Sequence, residues 1–247
     1  MRKSILVITF FSLLELTAAP TLAGDGVANP LSGWLGGVGE STQTYRLPAD
    51  GLIMVQNGKQ VYFTTPNARY LIRGQLYDVW NGEFIDSVDK AKRLGDRIQL
   101  SKLKIDIDKD LKPFYLGTGD REVVAFIDPH CPYCHKLLQQ MQALGDEYRF
   151  KLILIPALGD KSAETIRLLR CGSSKDNRNH DVVARLLKTD YQGLRDERCD
   201  LEPFLKSAIL AKILGVTGVP FLINQDGRVL RGYVKDLKGW LEEKHAS

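Results

Sequence analysis

The 247-residue sequence predicts an α+β chain in two parts, a small antiparallel sheet followed by an α/β domain, with a helix between them. Three observations predict it. Residues 52–80 break into short alternating segments punctuated by Asn57-Gly58, Pro66-Asn67 and Asn81-Gly82, which is hairpin chemistry. Residues 123–156 hold two apolar runs flanking a stretch of helical period, the pattern of a βαβ unit. Between them, apolar residues recur at spacings of three and four over 86–103. Composition agrees with ordinary globular use, at 44% hydrophobic and 26% charged. Lys+Arg 34 against Asp+Glu 30 leaves +4, too little charge to argue for nucleic acid without a clustered basic face.

The N-terminus comes first in the chain and sets the compartment. Arg2 and Lys3 precede an apolar run over 5–14, and Thr21-Leu22-Ala23 precedes Gly24. That is the charged, apolar and small-residue order of a secretory signal peptide, with cleavage expected after Ala23. The run is shorter than the roughly 20 residues of a spanning helix, and Glu15 interrupts it. A retained anchor or a lipid attachment is the alternative, though no Cys sits at the cleavage site. Residues 1–23 are thus read as a signal peptide, and export makes disulfides possible.

Residues 24 to about 45 are Gly-rich and weakly patterned, a loosely packed leader to the first domain. Strands are expected at 52–55, 61–64, 70–73 and 76–80, completing a domain over 24–85. A meander of about 40 residues buries too little apolar surface to stand alone, which argues that it pairs with a second copy. Residues 86–110 read as a linker. Ser87 can cap a helix carrying Val88, Ala91, Leu94 and Ile98, and this thin stripe suggests an exposed helix.

The second domain occupies 111–247. A strand at 123–128, a turn at 129–134, a helix with Leu137, Leu138, Met141 and Leu144 on one face, and a parallel strand at 150–156 make the βαβ unit. Polar-faced helices fill about 160–212, a hairpin spans 221–233 around Gln225-Asp226-Gly227, and Leu237, Trp240 and Leu241 mark a closing helix.

The four cysteines carry the chemistry. Cys131-Pro132-Tyr133-Cys134 stands where a strand meets a helix. Unpaired N–H groups and the positive end of the dipole favour a thiolate on the first cysteine there. Cys134, one turn inside, is placed to resolve a mixed disulfide. Pro132 suits the first helical turn, where a missing N–H costs nothing. Competing readings are a structural disulfide, a zinc site drawing on His130 or His135, and, because Cys134-His135 completes C-x-x-C-H, haem attachment with Met141 as axial partner. Cys171 and Cys199 lie 28 positions apart in the helical region. In an oxidising compartment they are expected to pair, which contributes roughly 3–4 kcal/mol in the chain-entropy model; two free thiols are the alternative. Pro220, after Thr217-Gly218-Val219, is either an ordinary first residue of a strand or a cis proline facing the sulfurs, and spacing does not choose.

Together these residues resemble the thioredoxin superfamily and, within it, the periplasmic disulfide isomerases of the DsbC/DsbG type. The segment Phe126-Ile127-Asp128-Pro129-His130-Cys131-Pro132-Tyr133-Cys134-His135-Lys136-Leu137 is similar to that family's active-site segment. Leu214-Gly215-Val216-Thr217-Gly218-Val219-Pro220 is similar to its cis-proline loop, and Val61-Tyr62-Phe63 through Arg73-Gly74-Gln75-Leu76-Tyr77-Asp78-Val79 to its dimerisation domain.

The resemblance implies a cystatin-like N-terminal dimerisation domain and a thioredoxin-fold catalytic domain. It implies Cys131 as nucleophile and Cys134 as resolving thiol, surrounded by Pro132, Tyr133, His135, Val219 and a cis Pro220, with Cys171–Cys199 as a structural disulfide. No metal and no cofactor beyond the redox-active cysteine pair is implied. The implied partners are a second copy, misfolded disulfide-containing exported proteins and a membrane-linked reductase of the DsbD kind, in the periplasm. A dithiol oxidase of the same fold, or a chaperone-like dimer, is the alternative activity. Two positions depart from the pattern. Val219 stands where these isomerases usually have Thr, and Ala125, six residues before Cys131, stands where thioredoxin carries a buried acid.

Overall fold

The computed structural model describes residues 42–48, 51–173 and 177–243. The segment read as a signal peptide and most of the Gly-rich leader lie outside the described residues.

Four antiparallel strands open the chain in the order β1 (Thr42–Arg46), β2 (Ile53–Asn57), β3 (Gln60–Thr64) and β4 (Leu71–Ile72), and β5 (Leu76–Asp78) pairs with β6 (Glu83–Ile85). The β2–β3 turn runs through Gly58 at φ +58, the left-handed value that an Asn-Gly turn supplies. β1 corrects the expectation of a loosely packed stretch reaching residue 45. Its Thr-Gln-Thr-Tyr-Arg pattern is polar because it is an edge strand with half-exposed and exposed side chains, so no apolar alternation marked it.

The helix α1 (Val88–Gly95) starts at Ser87, whose hydroxyl accepts from the Lys90 N–H at 3.3 Å, and has Asp89 in its first turn and Lys92 and Arg93 in its last. It is shorter than the helical pattern over 86–103, and it is not the exposed linker helix that its thin stripe suggested. Val88 and Ala91 are buried with Leu47, Met54, Phe63 and Ile85 in one cluster under the sheet. A narrow stripe of small residues allows close approach to a sheet, so its width reflected the spacing of the two layers rather than exposure. Beyond Gly95 the chain docks on the second domain. The Ile98 N–H donates to the Gly227 carbonyl at 2.7 Å and the Val229 N–H to the Asp96 carbonyl at 3.1 Å. Gly227 has φ +79, and a Cβ there would meet the Ile98 carbonyl at 2.8 Å, so this junction requires glycine.

The second domain is built on a five-stranded sheet. Its order is β11 (Val229–Arg231), β10 (Phe221–Asn224), β8 (Arg121–Ile127), β9 (Tyr148–Leu154) and β7 (Phe114–Leu116). β8 and β9 are parallel and the other pairs antiparallel. Period-two alternation splits the central strands between two cores. Val123, Ala125 and Ile127 pack with Phe150, Leu152 and Leu154 beneath α2 (Pro132–Ala143), α3 (Asp160–Gly172), α4 (Arg178–Lys188) and α6 (Leu237–Glu242). Val124, Phe126 and Ile153 face the other way, onto Leu210, Ala211 and Leu214 at the end of α5 (Glu202–Ile213). Burial on both faces explains why these strands read as continuous apolar runs.

Cys171 and Cys199 form a disulfide, with their Cα atoms 5.2 Å apart. Among the described residues no helix is long and apolar enough to cross a membrane.

Candidate active site

β8 ends at Ile127, and the turn Asp128-Pro129-His130 delivers the chain to α2 with Cys131 as its N-cap residue. The Cys131 sulfur accepts from the Cys134 N–H at 3.3 Å, so the first cysteine takes the capping role that Ser or Asp plays elsewhere. Pro132 occupies the first turn. Across the site the Val219–Pro220 bond is cis. The Cys131 thiol donates to the Val219 carbonyl at 3.6 Å, and the Pro220 carbonyl accepts from the Gly232 N–H at 2.8 Å. Val219 bridges the two apolar cores, packing against both.

The two thiols are free and differ in surroundings. Cys134 is fully buried. Burial, reinforced by its hydrogen bond with Cys131, pushes its thiol far above the usual cysteine range. Cys131 sits at the helix end beside Tyr133, which is 55% exposed, and the Tyr133 ring lies 6.0 Å from Tyr233. The two thiols therefore differ in position: Cys131, itself only 4% exposed, caps the helix, and Cys134 lies fully covered behind it, where burial disfavours its thiolate.

The turn that carries Cys131 is held from below. Asp128 is buried, and its Oδ1 accepts from the His130 N–H at 2.7 Å and from the Ser162 hydroxyl at 2.8 Å. Its Oδ2 accepts from the Leu158 N–H at 2.9 Å. One carboxyl group thus ties the active-site turn to the loop after β9 and to the first turn of α3. The Pro129 carbonyl accepts from the Tyr191 hydroxyl at 2.6 Å and from His135 Nε2 at 2.9 Å, which assigns the His135 proton to Nε2. His135 Nδ1 faces the Leu186 carbonyl and the Thr189 hydroxyl, each at 3.3 Å. The Thr165 hydroxyl donates to the Lys161 carbonyl at 3.0 Å, so it accepts from His130 Nε2 at 2.8 Å. Burial, with Lys161 nearby, lowers the His130 imidazole.

These contacts bear on the competing readings of the motif. His135 has both ring nitrogens facing protein groups, and His130 Nε2 is engaged by Thr165. Met141 is buried in the core. Among the described residues no group of three or more His, Cys, Asp or Glu side chains is placed to hold a metal ion.

Comparison with known proteins fits this geometry. A model described as a thioredoxin-like domain matches residues 109–243, and one described as the disulfide bond isomerase protein N-terminal domain matches residues 39–88. The chain belongs to the thioredoxin superfamily, in its DsbC/DsbG family. The thiol:disulfide interchange protein DsbC of Salmonella typhimurium is 24% identical over 209 residues, covering 83% of this chain and 82% of that one. The protein of the same name from Dickeya dadantii is 26% identical over 247 residues, covering 97% and 96%. A disulfide interchange protein from Neisseria gonorrhoeae is similar in structure, with a TM-score of 0.45 and 25% identity over 53% of this chain and 89% of that one.

The DsbC-type fold brings together the residues the sequence singled out: Cys131, Pro132, Tyr133, Cys134 and His135 on one turn and helix, with Val219 and Pro220 facing them. Cys171 and Cys199 stand apart as their own disulfide. Sequence reasoning missed the support beneath. Asp128 was read as the last residue of a strand and a member of the active-site segment with no role of its own, and Ser162, Thr165 and Tyr191 carried no signal, because their partners lie 34, 35 and 62 positions away. The one available signal was a lone acid ending an otherwise apolar strand, since a buried position there demands a set of donors.

Proposed function

We propose that this chain is a periplasmic disulfide isomerase and reductase that reshuffles wrong disulfides in exported proteins, and that it works as a homodimer. The supporting observation is the asymmetric thiol pair, Cys131 capping α2 against the Val219 carbonyl and Cys134 buried behind it, in a chain that also matches the isomerase N-terminal domain. The Cys131 thiolate attacks a client disulfide, forming a Cys131–client bond and releasing the other client sulfur as a thiolate. Either that client thiol or another attacks the mixed disulfide and regenerates Cys131, or Cys134 attacks it, leaving Cys131–Cys134 oxidised and the client reduced. The second route consumes a dithiol, which a membrane-linked reductase of the DsbD kind must restore.

Isomerase and oxidase differ in which form of the pair is maintained. Trapping thiols in intact periplasm should find Cys131 and Cys134 reduced. A predominantly disulfide form would make the oxidase reading correct. The same extract should contain a chain that begins near Gly24.

Alkylation separates the two sulfurs. Near neutral pH, iodoacetamide should label Cys131 and spare Cys134, whose burial disfavours its thiolate. Peptide mapping that finds Cys134 labelled first would reverse the assignment.

For the dimer, the support is apolar surface that one chain leaves uncovered. Tyr70, Ile72, Tyr77 and Phe84 on and beside β4, β5 and β6 are about half exposed, and Val79 is 81% exposed. β4 pairs with β3 alone among the described strands, which leaves an edge for another chain. Light scattering at micromolar concentration should give twice the chain mass, and deletion of residues 39–85 should give a monomer. A monomeric full chain, or a dimer that survives the deletion, would end this reading.

A further inference from the structure

A cluster of cations outside the thiol site has no assigned role. A cavity of about 140 Å³ is lined by Lys112 just before β7, Arg170 at the end of α3, Arg178 at the start of α4, and Cys199 and Asp200 before α5. Arg170 is only 6% exposed. Its two Nη groups donate to the carbonyls of Lys112 at 3.4 Å and Leu111 at 3.1 Å, and its guanidinium lies 5.3 Å from the Phe114 ring. None of these partners carries a negative charge.

Among the described residues neither Arg170 nor Arg178 has an ion pair, and the Nε of each is buried without a hydrogen-bond partner. Among the described residues the carboxylate on the cavity is Asp200, which is 3.6 Å from Lys112 Nζ and accepts from the Glu202 N–H at 2.9 Å. Of the described residues, three cations therefore face one anion. Burial, together with the like charge of Arg178, lowers the Arg170 guanidinium to about 10. Buried arginines are ordinarily matched by carboxylates or phosphates, because an unpaired buried charge is costly. Here, among the described residues, an excess of positive charge borders one empty volume.

We infer that this cavity binds a small oxyanion of the phosphate or sulfate class, held between Arg170 and Arg178 with Lys112 at its edge. Guanidinium groups present fixed forks of donors that suit such oxygens. The volume is well below the roughly 300–1,000 Å³ of pockets for drug-sized ligands, which suits a small ion. Bound there, the anion would join the segment before β7 to three segments of the helical region, two of which the Cys171–Cys199 disulfide already links. It would stabilise the folded chain by mass action.

Isothermal titration of the full, disulfide-intact chain with inorganic phosphate, at ionic strength held constant with chloride, tests this. Saturable binding of one phosphate per chain is expected, with sulfate competing. Arg178→Gln should weaken it at least tenfold while leaving disulfide exchange unchanged, and Arg97→Gln should leave it unaltered. Arg170→Gln removes the buried member and is informative only as a folded variant, so Arg178→Gln carries the test. The inference fails if no saturable heat is seen, or if Arg178→Gln binds as wild type does. A melting temperature that climbs without saturation, equally in both proteins, would also overturn it, since that is surface exclusion of a kosmotropic ion.

Discussion

Replacing Cys131 by alanine is expected to reduce reactivation of a scrambled multi-disulfide test protein by about two orders of magnitude or more, to the background of free thiol exchange. Cys131 is the N-cap thiol of α2, accepting from the Cys134 N–H and donating to the Val219 carbonyl. Cys134 cannot substitute, being fully buried with its thiolate disfavoured. Cys134→Ser should behave differently. It retains the attacking sulfur, so mixed disulfides with clients accumulate, and isomerisation falls less because a client's own thiol can complete the exchange. The comparison also separates catalysis from binding: suppression of client aggregation by the dimer should survive Cys131→Ala. Loss of both activities together would point to damage to the fold. Retention of exchange in Cys131→Ala would remove the nucleophile assignment altogether.

How much of this was legible in the sequence depended on distance along the chain. The C-x-x-C at a strand-to-helix junction could be read because a helix N-terminus and a reactive thiol are adjacent facts, and both cysteines sit as that reading required. The βαβ unit was legible for the same reason, since strands buried on both faces are written as continuous apolar runs. Two edge strands, β1 and β7, were not. β1 carries half-exposed and exposed side chains throughout, and β7 has only three residues, so neither displays an apolar alternation. The helix α1 was found but misplaced in character, because Val88 and Ala91 are buried by a sheet far back in the chain and a helix stripe does not record what covers it. Pro220 was undecided by spacing, and only the family resemblance, and then the fold, chose its cis form. The Asp128 network offered only a lone acid ending an apolar strand, and its partners could not be read. Its donors come from a turn, a loop and another helix, and no local rule links them.

Asp128 carries the largest expected effect on stability. Its two carboxyl oxygens accept three hydrogen bonds, from the His130 and Leu158 N–H groups and the Ser162 hydroxyl, at 2.7 to 2.9 Å. Alanine would remove the acceptor and leave these donors facing a space from which water is largely excluded. A hydrogen bond to a charged group contributes about 1.5–3 kcal/mol, and each buried donor left unsatisfied costs about 1–3 kcal/mol. Asp128→Ala should therefore destabilise the chain by about 3–5 kcal/mol in denaturant melts. At about 2–4 °C per kcal/mol for a chain of this size, the melting temperature should fall by about 10 °C. Asparagine makes the sharper test. Its amide oxygen can replace Oδ1 for His130 and Ser162, but its NH2 group then opposes the Leu158 N–H, so Asp128→Asn should lose less than alanine and more than nothing. Exchange activity should fall in both variants, because the turn that presents Cys131 is pinned by these bonds and is itself held to Cys131 by the Cys131 N–H donating to the Asp128 carbonyl at 3.1 Å. A cost below about 1 kcal/mol for alanine, the range of an ordinary surface change, would show that the turn holds its shape without the carboxyl group. Equal losses for alanine and asparagine would show instead that the Oδ1 bonds contribute little, and that the Leu158 contact alone fixes the loop after β9.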